Sequence, residues 1–96
     1  MDDRSYIIIL YDFYGELLTD KQREYFESYY FNNLSLSEIS CNLGISRNAI
    51  HKSIKLIENK LYFYEDKLKL YNKSIVLKDL TKNLDEDIRK KIEELY

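Results

Sequence analysis

Between Ser35 and Lys60 the apolar positions change register at one point. Leu36, Ile39, Ser40 and Leu43 share a helical face, Gly44 follows, and Ile50, Ile54 and Ile57 then recur at spacings of four and three. The pattern predicts two helices joined by a tight turn. Ser35 and Glu38 have the S-x-x-E form of a capping box, in which each side chain satisfies a free N–H at the helix start. Gly44 suits the left-handed position that ends a helix, because it has no Cβ to clash. Ile45 is apolar and can plug the turn into the core, and Ser46 can cap the second helix. This order is the sequence form of a helix-turn-helix. An ordinary helical hairpin also uses Gly between helices. The very short turn, the apolar Ile45 and the polar opening of the second helix favour the helix-turn-helix.

Upstream, Ile7, Leu10, Tyr11, Tyr14, Leu17 and Leu18 keep helical spacing, and Tyr6, Ile9 and Phe13 fill much of the remaining face. Ile7-Ile8-Ile9 is β-branched and would suit a strand, but a strand would lack a partner here. Residues 3–18 are therefore expected to be a helix, apolar nearly all round. Such a helix must be buried nearly all round, and a chain of 96 residues has little to cover it with. A second helix is expected over Thr19–Asn32, opened by a Thr19/Gln22 capping box and closed by Asn32 and Asn33.

Downstream, Ile50, Ile54, Ile57, Leu61, Tyr64, Leu68 and Tyr71 are spaced as a heptad seam. Leu56, Phe63 and Leu70 form a second apolar row beside Lys60 and Lys67. One helix of about 25 residues with two apolar surfaces is predicted at the heptad spacing. A symmetric homodimer is the expected use of the seam, with Ile7, Leu10, Tyr14, Ile57, Leu61, Tyr64 and Leu68 at its interface. A single core-packing helix is the rival. Asn72-Lys73-Ser74 is expected to break the pattern before a short helix carrying Ile75, Val76, Leu77 and Leu80. Asn83 is expected to cap a last amphipathic helix carrying Leu84, Ile88, Ile92 and Leu95.

The chain contains no Pro and only two Gly, which agrees with an all-α fold. The expected architecture is a helical bundle in one domain, residues 1–96. It comprises N-terminal helices (1–34), the helix-turn-helix (35–60) and a helical extension (61–96), with a long C-terminal helix serving recognition and dimerisation.

Net charge is −2, so generic nucleic-acid affinity is not expected. Its distribution changes that picture. Residues 46–60 carry Arg47, Lys52, Lys55 and Lys60 against Glu58, a local balance of +3. Residues 1–18 carry Arg4 against Asp2, Asp3, Asp12 and Glu16, a balance of −3. Positive charge thus gathers on the second helix of the motif, whose N-terminal residues reach base edges when such a helix enters the major groove. The candidate nucleic-acid-binding residues are Arg47, Asn48, His51, Lys52 and Lys55, with Ser46. Arg and Asn suit base edges, and Lys suits phosphate. Ser35 and Ser37 could add neutral phosphate contacts near a helix start.

Other chemistry is sparse. Cys41 and His51 are the only Cys and His, so a closed Cys/His zinc site cannot be built. No Gly-rich phosphate loop and no catalytic motif occurs. No cofactor, metal or reaction is expected. No apolar run is long enough to span a bilayer, and the Met-Asp-Asp start lacks the basic residues of a signal peptide, so a cytoplasmic protein is expected.

The stretch LTDKQREYFESYYFNNLSLSEISCNLGISRNAIHKSIKLIENKL, Leu18 to Leu61, resembles region 4 of bacterial sigma factors. With LYDFYGELLTDKQREYFESYYF, Leu10 to Phe31, the chain more narrowly resembles the YlxM-like family. These are small bacterial helix-turn-helix proteins linked to the signal recognition particle pathway by gene neighbourhood. The resemblance extends from Leu10 to about Leu70, and YDFYGELLT, Tyr11 to Thr19, is its more discriminating part. It implies a regulatory or accessory protein with double-stranded DNA and signal recognition particle components as partners. One departure stands out. Where sigma factors are usually rich in Arg and Lys, this chain reads KLIENKLYFYEDKL. That suits a helix given over to protein contact. It keeps open an alternative: a protein- or RNA-interaction module that retains the fold without reading DNA.

Overall fold

The computed structural model describes residues 1–95, and its order follows from where helices can start and stop. They run as α1 (Asp3–Tyr14), α2 (Asp20–Tyr30), α3 (Leu36–Leu43), α4 (Arg47–Leu68), α5 (Leu70–Thr81) and α6 (Glu86–Glu93), with a 3-10 turn at Gly15–Leu17 after α1. There is no strand among the described residues. Both expected capping boxes form. The Thr19 side chain accepts from the Gln22 N–H while Gln22 Oε1 accepts from the Thr19 N–H, and Ser35 and Glu38 do the same. Each satisfies two of the four N–H groups that a helix start leaves free.

One core holds α1 to α4 together. Ile7, Leu10, Tyr14, Leu18, Tyr25, Phe26, Ile39, Ile50, Ile54, Ile57 and Leu61 are all buried. α4 is its axis, packed against α1, α2 and α3.

The core overturns the expected dimer seam. Five of the seven residues assigned to it, Ile7, Leu10, Tyr14, Ile57 and Leu61, are at most 2% exposed within a single chain. Tyr64 is half-buried against the same core, and of the seven only Leu68 is exposed. The expectation assumed that one chain could not cover α1. It can, because the long helix stops. Lys69 takes a left-handed conformation (φ 55°, ψ 33°) and turns the chain at the end of α4. α5 then packs on α1, with the Tyr71 ring 5.9 Å from that of Tyr6 and 6.0 Å from that of Phe13. The break lies at Lys69, and Asn72-Lys73-Ser74, the expected break, is inside α5.

A buried polar cluster holds this turn. Glu65, 8% exposed, accepts from the Tyr14 hydroxyl at 2.5 Å and from the backbone N–H of Tyr71 and Asn72 at 3.1 Å each. The Tyr14 hydroxyl in turn accepts from the Leu70 N–H at 3.0 Å. Three free N–H groups at the start of α5 are therefore satisfied from outside that helix. A carboxylate at a helix N-terminus also meets the positive end of its dipole. Burial and the bond to Glu65 push the Tyr14 phenol up to about 12.

Beyond this point the chain has little interior. The buried residues of α5 are Ser74 and Thr81, each donating its hydroxyl to a carbonyl of its own helix, and α6 buries none. α6 is capped by Asp85, whose carboxylate accepts from the Asp87 N–H at 2.8 Å, and not by Asn83 as expected. The molecule is consequently long, 53 × 24 × 24 Å, with a radius of gyration of 16.6 Å. A compact chain of this length would give about 12.5 Å. The head, α1 to α4, is compact; α5 and α6 form an arm.

Candidate nucleic-acid interface

The turn between α3 and α4 is built from short-range bonds. Gly44 is left-handed (φ 66°), and its N–H bonds to the Ser40 carbonyl at 3.0 Å. The Ile45 N–H shares that carbonyl, while the Ser40 hydroxyl donates back to the Ile45 carbonyl. Ser40 thus clamps the turn from both sides. The sequence reading had placed it only on a helix face, although a small hydroxyl residue just before a helix-ending Gly is a usable signal. Ser46 caps α4, its hydroxyl oxygen accepting from the Ala49 N–H at 3.1 Å. The hydroxyl proton stays available to an acceptor outside.

Ile50 and Ile54 are buried under α4 and fix its rotation. Arg47, Asn48, His51, Lys52 and Lys55 all lie exposed on its first turns. From Ile39 to Ile57 the chain holds no carboxylate, so cations meet no opposing charge until Glu58. There Lys55 pairs with Glu58 at 3.4 Å. Glu58 is also held by the Tyr30 hydroxyl, whose acidity is suppressed by burial and then by that bond. Lys55 is therefore partly neutralised, and Arg47 and Lys52 form the uncompensated pair. Ser37 is exposed at the start of α3, while Ser35 is engaged in its capping box.

The flank of α4 behind these residues is shaped and polar. A hollow of about 450 Å³ lies among Arg4, Tyr29, Tyr30, Lys55, Glu58 and Tyr62, with Asp3 and Asn59 at its edge. Arg4 is held here: its guanidinium lies over the Tyr30 ring at 5.0 Å and donates through Nη2 to the Tyr30 carbonyl and Asn33 Oδ1, both at 2.8 Å. Phe26 stacks between Tyr11 and Tyr30, at centroid distances of 4.2 and 4.5 Å. These rings are core and flank, not an open stacking platform. Cys41 is exposed on α3, and the described residues bring no group of three or more His, Cys, Asp or Glu together for a metal. No described helix is long and apolar enough to cross a membrane.

Residues 1–95 match the family model described as "Putative helix-turn-helix protein, YlxM / p13 like". The chain belongs to this family, UPF0122. Among its relatives, the UPF0122 protein of Malacoplasma penetrans is 45% identical over 100 residues, covering 98% of this chain and 94% of that protein. That of Fusobacterium nucleatum is 45% identical over 91 residues, covering 94% and 87%. That of Caldanaerobacter subterraneus subsp. tengcongensis is 56% identical over 72 residues, covering 75% of this chain and 62% of that protein. The chain thus spans about three fifths of the last relative, and nearly all of the first. The UPF0122 match carries a helix-turn-helix and names no reaction.

Proposed function

We propose that this UPF0122 chain is a non-enzymatic regulatory protein that binds double-stranded DNA through the N-terminal turns of α4. The observation that supports this most is the exposed opening of α4. Arg47, Asn48, His51 and Lys52 are all exposed on the first turns of a helix whose preceding turn is clamped, with Asn48 and Lys52 on the side away from the buried Ile50 and Ile54. In the major groove, Arg47 suits guanine and Asn48 suits adenine. Lys52, Lys55 and the Ser46 hydroxyl suit phosphate.

Titrating duplex DNA against salt tests the reading. A phosphate-contacting protein must lose affinity steeply as salt rises, with a logarithmic slope of roughly −0.9 per phosphate neutralised. Binding that is absent, or flat with salt, would sink it. Arg47→Ala with Lys52→Ala is expected to abolish binding while melting and helicity hold, since such surface changes move stability by about 0.5 kcal/mol or less. Normal binding by this double variant would mean that the face is wrongly assigned.

A second reading keeps the fold for protein or RNA contact, in the cytoplasm and in the signal recognition particle pathway. It is favoured by the apolar row left exposed along α4 and by the net charge of −2. Recovery of the tagged protein from cells separates the two. Enrichment of specific DNA supports the first, and enrichment of particle components without DNA supports the second.

A further inference from the structure

Lys52 and Lys55 hold equivalent places on α4 and have different surroundings. Asn48, Lys52 and Lys55 are spaced four and three apart, so they line one side of the helix. Both lysines are exposed, and by position alone either could reach a phosphate. Among the described residues, no carboxylate lies within ion-pairing distance of Lys52. Lys55 Nζ, one turn further along, lies 3.4 Å from Glu58 Oε1.

An ion pair between two exposed side chains is a weak tie, because water hydrates each charge nearly as well as the partner does. Glu58 is not such a side chain. It is 17% exposed against 63% for Lys55, so water reaches the cation and largely misses the carboxylate. The Tyr30 hydroxyl holds Oε2, which leaves Oε1 to Lys55. Arg4 lines the same hollow, yet its Nη2 donates to the Tyr30 carbonyl and Asn33 Oδ1, and it forms no ion pair with Glu58. Among the described residues Lys55 is thus the one cation paired with Glu58. A phosphate that took Lys55 would leave a partly buried carboxylate with little water and no cation, an unfavourable state for a charge.

We propose that Glu58, anchored by Tyr30, is a positioning residue that withholds Lys55 from phosphate and so limits the affinity of α4 for duplex DNA of any sequence. The inference rests on the reading of α4 as a DNA-contacting helix. Lys55 has the chemistry of a phosphate contact, and it makes that contact only by releasing Glu58. A phosphate contact strengthens binding to every sequence alike, whereas contacts to base edges discriminate. Withholding one phosphate contact therefore leaves Arg47 and Asn48 a larger share of the binding.

Salt titration of a mixed-sequence duplex reads this directly, because the logarithmic slope of affinity against salt counts the phosphates neutralised. Glu58→Gln removes the charge and keeps an acceptor for the Tyr30 hydroxyl. It is expected to raise affinity and to steepen the slope by roughly 0.9, one further phosphate. Adding Lys55→Ala is expected to remove that gain. Glu93→Gln makes the same change of net charge at an exposed position of α6, and is expected to leave the slope where it was. If the unaltered chain binds with a steep slope and Glu58→Gln does not steepen it, Glu58 withholds nothing. The inference then falls and the reading of α4 stands. A gain that survives Lys55→Ala, or one that Glu93→Gln matches, would be an effect of net charge and would overturn it equally. Absent or salt-independent binding by both the unaltered chain and Glu58→Gln would overturn the reading of α4 and this inference with it.

Discussion

The head and the arm are made of the same kind of residue and are held by different forces. Each half is helical and each carries amphipathic stripes. Yet all eleven buried apolar side chains of the described residues lie between Ile7 and Leu61. From Glu65 onward the buried residues are Glu65, Ser74 and Thr81, all polar. The head is stabilised by apolar area removed from water. The arm is placed by hydrogen bonds at its root, chiefly those of Glu65 and Tyr14, and by a few rings of α1. Amphipathicity alone does not make an interior. A stripe becomes core only where another element of the chain covers it fully, and α6 has no buried residue.

The largest expected effect tests that contrast directly. Leu61→Ala should cost about 2–5 kcal/mol, because it removes a buried side chain from a packed core and leaves a cavity. Leu80→Ala, at a residue 72% exposed in α5, should move global stability by no more than about 0.5 kcal/mol. Chemical denaturation of the two variants side by side gives the difference. Equal costs would mean that the arm has an interior after all.

Next comes the root of the arm. Glu65→Ala leaves the Tyr71 and Asn72 N–H groups and the Tyr14 hydroxyl without their acceptor, at about 1–3 kcal/mol for each group that stays buried and unsatisfied. Hydrogen exchange should show α5 losing protection while α3 and the start of α4 keep theirs. Uniform loss would show head and arm to be one cooperative unit. Alkali attacks the same cluster from Tyr14. Its folded-state acidity constant, about 12, lies above the ordinary 10.0. The folded protein therefore holds the phenol proton more tightly than the unfolded chain does. That stabilisation is complete below pH 10 and fades as pH climbs from there toward about 12. Tyr11, pushed up to about 12 by burial and then by its bond to Glu27, adds in the same direction. Melting temperature against pH, followed with tyrosinate absorbance, should fall through that interval; a flat profile would contradict the coupling.

Why the head was legible and the arm was not follows from these forces. The caps at Thr19, Ser35 and Ser46 and the left-handed Gly44 are decided by residues within four positions of each other, so the sequence displays them. The buried face Ile50, Ile54, Ile57 and Leu61 is decided by period, and is equally visible. What period could not say was which partner covers it, and the assignment to a twin failed there. The turn at Lys69 has no Gly, Asn or Pro to announce it. It is set by Glu65 meeting a tyrosine 51 residues away. The available signal was Glu65 itself, a carboxylate beside Leu61, Tyr64 and Leu68 on an otherwise apolar face. Arg47, Asn48, His51 and Lys52 lie exposed on the first turns of α4, but the pairing of Lys55 with Glu58 is tertiary detail, tightened by Tyr30 from α2.

The two glycines sharpen the account of the head on a smaller scale. At Gly44 a Cβ would meet nothing within 4 Å, so Gly44→Ala is a purely conformational insult at φ 66°. It should cost about 1–2 kcal/mol, the penalty for a left-handed residue with a Cβ. At Gly15 the backbone is right-handed, and an added Cβ would meet the Tyr11 ring at 3.1 Å. Gly15→Ala should therefore disturb the Tyr11–Phe26 stack, and near-ultraviolet dichroism should register it. Gly44→Ala should lower the melting temperature and leave that aromatic signal unchanged. A reversed pattern would mean that the turn and the stack have been given each other's roles.

The smallest effect compares one substitution in both regions. Ser35→Ala removes the cap of α3, and Asp85→Ala removes the cap of α6. In isolation each loses a side-chain acceptor for a free N–H, at about 1 kcal/mol of helix stability. In the head that loss must appear in global unfolding, because α3 can fray only by uncovering Ile39 and its packing on α4. In the arm α6 buries nothing within its own chain, so a frayed α6 takes no core with it. Thermal melting should therefore fall for Ser35→Ala and hold for Asp85→Ala, while exchange at the α6 amides quickens in the latter.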